Sequence, residues 1–189
     1  MIPSVLCNLA MAAAAVAAVW THSRKAPLRV VLRYFTVLSN LLCALASLTA
    51  AVCRLCGGLP AGAALLKYAG TASVTVTLLT VLFFLGPTIG YKLMLTGPDF
   101  WLHLVCPLLA LLSYFLWDRP AAGPAVVLLA VAPVALYGAM YLYRVLFAPE
   151  EKRWNDFYGF NRGGRWYLSF GVMLAASALI GFALYAVQL

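Results

Sequence analysis

Six apolar runs, each close to the roughly 20 residues a helix needs to cross a bilayer, fill most of this 189-residue chain. They run from about Ile2 to Trp20, Tyr34 to Cys53, Tyr68 to Leu85, Phe100 to Trp117, Ala125 to Phe147 and Trp166 to Val187. None alternates apolar and polar residues as a half-buried strand does, so each reads as a helix. The expected fold is all-α, a polytopic bundle of six transmembrane helices. Composition agrees. The chain is 65% hydrophobic and 10% charged, whereas soluble domains are about 45–50% apolar and about 25% charged. So much apolar surface needs lipid as part of its solvent. No repeat or long linker divides the sequence, and residues 1–189 read as a single domain.

The net charge of +8 does not point to nucleic acid, because the basic residues form no compact patch. They sit between the apolar runs. Ten of the 13 Lys and Arg residues fall in the first, third and fifth connections or the adjoining span ends, leaving Arg54, Lys67 and Arg119 for the second and fourth. The positive-inside rule then predicts both termini outside and the odd connections in the cytoplasm. The first run has no charge before Arg24, which suits a retained helix rather than a cleaved signal. The second and fourth spans thus enter from one side. Thr36 lies three residues past Arg33 and His103 four past Asp99, so both sit roughly 5 Å into their spans at 1.5 Å per residue.

Polar residues inside the spans follow helical spacing. Thr36, Ser39, Asn40, Cys43 and Ser47 form one face of the second span. Such a face serves either helix contacts, with hydroxyls bonded to the preceding turn, or a wet cavity. In the fourth span His103, Cys106, Pro107, Ala110, Ser113 and Tyr114 share a face. Pro107 offers no N–H to the His103 carbonyl, so a kink is expected beside the imidazole. A hydroxyl and an imidazole at matched depth make a candidate nucleophile and general base. Asn40, one turn from Thr36, is a candidate oxyanion donor or orienting group. Ser39, Tyr137, Tyr141 and Arg144 are candidate substrate-binding residues. The tyrosines and Arg144 run toward the same membrane face, where they serve as interfacial anchors or hold an anionic headgroup.

The fifth connection, from Pro149 to Arg165, is the most polar stretch and reads either as a solvated interfacial segment or as a lid. Cys53-Arg54-Leu55-Cys56 is a Cys-x-x-Cys without the βαβ setting of a thioredoxin-like motif, which leaves an outward disulfide or a thiol redox pair as a lesser reading. No ligand spacing suggests a metal, and glycine-rich phosphate loops are absent. No cofactor is expected.

Tyr34-Phe35-Thr36-Val37-Leu38-Ser39-Asn40-Leu41-Leu42 and His103-Leu104-Val105-Cys106-Pro107 resemble segments of the androgen-induced membrane-protein family and its bacterial six-span relatives. The resemblance implies an intramembrane hydrolase of fatty-acid esters of hydroxy fatty acids, with Thr36 as nucleophile and His103 as its partner. The animal members carry a Phe-Leu-Thr-Phe type segment and a Pro one residue further from the His. In both respects this chain looks like the bacterial branch, which implies a bacterial cytoplasmic membrane. A related membrane family with acyl-transfer chemistry uses a Cys and a His, which makes Cys106 a lesser nucleophile candidate. The expected partners are membrane lipids and a lipid-ester substrate. A lipid acyltransferase, a transporter of lipids or small molecules and a lipid-binding scaffold without chemistry stand as alternatives.

Overall fold

The computed structural model describes residues 1–187 and is helical, with no strand among them. Six helices are long and apolar enough to cross a membrane: α1 (Ile2–Ser23), α2 (Phe35–Leu55), α3 (Ala61–Ile89), α4 (Pro98–Leu116), α5 (Pro124–Phe147) and α6 (Trp166–Ala186). The chain is an integral, multi-pass membrane protein. Helix α3 is the central member and packs on α2, α4, α5 and α6, while α1 packs on α2 and α4. Helix α6 is the least buried of the six.

The starts of these helices are written in proline. Pro3, Pro98 and Pro124 lie in first turns, where a missing N–H costs nothing, and Pro60 directly precedes α3. At the end of α2 the chain turns through Gly57, whose φ of +118° suits a residue without Cβ. Small residues set the α2–α3 distance. A Cβ on Gly70 would lie 2.9 Å from Cys43 Cα, so the backbones meet there. In lipid, where burying apolar surface between helices gains little, such close packing is the main source of helix association. Met11, Ala15, Cys43, Val74, Cys106 and Ala110 form one core cluster joining α1 to α4.

Three π-helical turns interrupt the spans, at Val81–Leu85, Trp101–Val105 and Tyr143–Phe147. Each is followed by one residue and then a proline: Pro87, Pro107 and Pro149. The proline ring collides with the carbonyl four residues back and offers it no hydrogen bond. Widening the turn moves that carbonyl aside and keeps the preceding N–H bonded five residues back. The Cys106 N–H accordingly donates to the Trp101 carbonyl. The kink expected at Pro107 takes this form.

One sequence expectation is corrected. Lys67 is not a connection residue, and the third span begins at Ala61 rather than Tyr68. The Lys67 side chain is fully buried inside the bundle. Its ammonium donates to Asn8 Oδ1 and Ser47 Oγ, both at 2.7 Å. Asn8 Nδ2 donates onward to Asp118 Oδ2 at 2.7 Å. Asp118, also fully buried, accepts from Ser4 Oγ at 3.0 Å and Arg54 Nε at 2.9 Å. This network ties α1, α2 and α3 to the end of α4 on the side that carries the α2–α3 connection. Of the other two basic residues expected in the second and fourth connections, Arg54 lies in the last turn of α2 and Arg119 follows α4.

Candidate functional site

The opposite end of the bundle, carrying the first, third and fifth connections, holds Thr36 and His103. His103 lies in the π turn of α4 and is buried. Its Nδ1 is 2.7 Å from the Met94 carbonyl oxygen in the third connection. A carbonyl can only accept, so Nδ1 carries a proton and in the neutral ring Nε2 keeps its lone pair. Nε2 makes no hydrogen bond among the described residues. Asp99, the carboxylate nearest His103 in sequence, instead pairs with His22 Nε2 at 3.1 Å.

Thr36 is the second residue of α2 and lies on the wall of a cavity of about 390 Å³. The cavity is bounded by α2, α3, α5, α6 and the fifth connection, with Phe35, Val81, Phe84, Val134, Phe170 and Met173 making it largely apolar. Thr77, Thr80, Tyr137, Tyr158 and Ser169 are the other hydroxyl-bearing residues on its wall. Its size and character fall within the range of pockets that bury small apolar ligands. His103 is not on this wall, and no hydrogen bond among the described residues joins it to the Thr36 hydroxyl.

Asn40 connects the two neighbourhoods. Its Nδ2 donates to the Thr36 carbonyl at 2.7 Å and to the Leu102 carbonyl at 3.0 Å. One amide therefore holds the backbone of α2 at Thr36 beside that of α4 next to His103. Both amide hydrogens are spent, so Asn40 presents no donor to an oxyanion here and its contribution is positional. Its Oδ1 is buried without a partner. Ser39 donates to the Thr36 carbonyl at 3.1 Å and lies 2.9 Å from Thr77 Oγ1. It is an α2–α3 contact, away from the cavity wall.

The fifth connection folds back over the cavity. Tyr158, Gly159 and Phe160 form part of its lining. The Phe35 N–H donates to the Tyr158 phenol oxygen at 3.0 Å, which secures the first turn of α2. Burial dominates at this phenol and pushes it up to about 12, although the Phe35 N–H and the Tyr137 and Thr36 hydroxyls favour its ionised form. Asp156 knots the lid. Its Oδ1 accepts from Tyr141 Oη at 2.8 Å and the Phe160 N–H at 2.9 Å, and its Oδ2 from the Asn161 N–H at 2.8 Å. The Tyr158 N–H donates to Tyr141 Oη at 3.1 Å.

Of the residues expected to bind substrate, Tyr137 is on the cavity wall, where its hydroxyl donates to the Arg33 carbonyl at 2.6 Å. Tyr141 is fully buried and holds the lid, and Arg144 stacks against Trp154 of the lid. Cys106 is fully buried in the core cluster. All five cysteines are free thiols. Sequence reasoning missed Tyr158, whose signal was its place in an aromatic cluster of the fifth connection, and the Lys67–Asp118 network. Asn8 and Ser4, one turn apart on an otherwise apolar helix, were the clue to the latter. Comparison of the chain with protein-family models, curated proteins and solved structures gave no match.

Proposed function

We propose that the protein is an intramembrane hydrolase of a lipid ester, of the kind implied by its resemblance to the androgen-induced membrane-protein family, acting in a bacterial cytoplasmic membrane with both termini outside. One observation carries this reading: Thr36 lines an apolar cavity beneath an aromatic lid. The acyl chain of the ester occupies the cavity with its carbonyl at Thr36. Thr36 Oγ1 attacks the carbonyl carbon while its proton passes through one intervening water to His103 Nε2. The tetrahedral intermediate collapses, the ester C–O bond breaks, and the alcohol leaves with that proton. Water then attacks the acyl-threonine, returns a proton through His103 and releases the acid. Met94 and Asn40 act as positioning groups, the first by fixing the imidazole tautomer and the second by holding α2 against α4. An acyl-threonine that passes its acyl group to an alcohol instead of water is the transferase form of the same chemistry.

A fluorophosphonate lipid probe tests the nucleophile. The expected result is a covalent adduct on the peptide carrying Thr36 and none in Thr36→Ala. Full labelling of the folded Thr36→Ala variant overturns the assignment. A second reading, a lipid-binding scaffold without chemistry, is favoured by the absence of His103 from the cavity wall. It predicts stoichiometric lipid binding that is unchanged in Thr36→Ala and His103→Ala, with no turnover in any form.

A further inference from the structure

We infer that Arg33 and Arg144 bind the phosphoryl group of an anionic membrane lipid at the edge of the lid, and that this contact holds the lid closed. The Arg33 guanidinium carbon lies 5.4 Å from the centre of the Trp154 ring and that of Arg144 lies 5.7 Å from the same centre. Two like charges share one indole, and its quadrupole attracts each of them without neutralising either. Neither guanidinium has a hydrogen bond or an ion pair among the described residues, where the ion pairs are His22–Asp99 and Arg54–Asp118. The acid nearest in the lid, Asp156, has both oxygens taken by the knot. Glu150 and Glu151 are exposed.

The pair stands where lipid phosphates lie. Arg33 comes just before α2 and Arg144 falls in the last turn of α5, so both are at the membrane boundary of the end that holds most of the positive charge. Two half-buried forks with unused N–H donors suit the several acceptor oxygens of a phosphoryl group. The lid is coupled to this point, since the Trp154 N–H donates to the Arg144 carbonyl at 2.9 Å and Tyr158 follows four residues later on the cavity wall. This inference does not depend on chemistry at Thr36.

The test is the thermal stability of the purified protein in a neutral detergent, titrated separately with phosphatidylglycerol, phosphatidylcholine, oleate and inorganic phosphate. Phosphatidylglycerol should give a saturable stabilisation, weakened about tenfold in apparent affinity by Arg33→Gln or by Arg144→Gln, the size of one charge-assisted hydrogen bond. It should also slow proteolysis of the fifth connection. Lys92→Gln, a neutralised basic residue elsewhere at the same end, should respond like the unaltered protein. An equal response to oleate, stabilisation by inorganic phosphate alone, or an equal loss in Lys92→Gln each overturns the inference. Conservative Arg144→Lys, which keeps charge but loses the planar fork, should fold and show an intermediate response.

Discussion

At the scale of single residues, the polar hydrogens around Thr36 and His103 are already committed to backbone carbonyls. His103 Nδ1–H donates to the Met94 carbonyl, so Nε2 is the nitrogen whose lone pair is left for a base. Asn40 has spent both of its hydrogens on backbone, so Asn40→Asp should loosen the α2–α4 contact rather than remove an oxyanion donor. Lys67 offers the strongest stability prediction. Lys67→Ala leaves Asn8 and Ser47 facing a buried gap and unbalances the Asp118 cluster. A loss of about 3–5 kcal/mol is expected, read as a lower temperature for loss of the monodisperse protein in detergent. Tyr158 gives a pH prediction. Its phenol is raised from 10.0 to about 12, so the folded form holds its proton more tightly than the unfolded form. The stability this contributes is complete below pH 10 and is lost as the pH rises from 10 to about 12. Tyr158→Phe should remove that alkaline component, as a stability titration will show. The residue types of the candidate site, Thr36 and His103, were legible because a polar group inside an apolar run stands out. The role of Asn40 was not, since a backbone carbonyl partner on another helix leaves no trace in local sequence.

At the scale of elements, proline decides local geometry. The kink at Pro107 was legible from the missing N–H, but its form was not, because a π turn and a simple bend satisfy the same local rule. The structure has the wider turn here, as it does before Pro87 and Pro149. Pro107→Ala lets α4 close into a regular helix and should raise stability by up to about 3 kcal/mol. It should also swing His103 off Met94 and lower turnover, a combination measurable by pairing a melting curve with an activity assay. The span limits were legible to a few residues except in α3, where Lys67 marked a false boundary. A lysine reads as a loop residue unless its partners are known, and those partners, Asn8 and Ser47, lie on other helices. The fifth connection left two readings open in sequence, solvated segment or lid. Its contacts with Phe35 and Tyr141 decide for the lid, and they bridge residues far apart in the chain.

At the scale of the whole molecule, the two ends of the bundle differ in kind. One is clamped by a largely buried ionic network, and the other carries a lidded apolar cavity and most of the positive charge. The network joins α1, α2 and α3 to the end of α4, away from the cavity. The proposed orientation follows from the charge asymmetry and is checked by an impermeant maleimide. Cys56 is exposed beyond the clamped end of α2 and should be labelled on intact cells. Labelling that requires permeabilised cells reverses the orientation. The proposal that this protein cleaves a lipid ester is tested most directly by the hydrolysis rate of a fluorogenic lipid ester in purified Thr36→Ala, Thr36→Ser and His103→Ala variants with unchanged melting behaviour. The expected result is a loss of at least about 10²-fold in Thr36→Ala and His103→Ala, with partial activity kept in Thr36→Ser. Turnover by Thr36→Ala at the rate of the unaltered protein contradicts it.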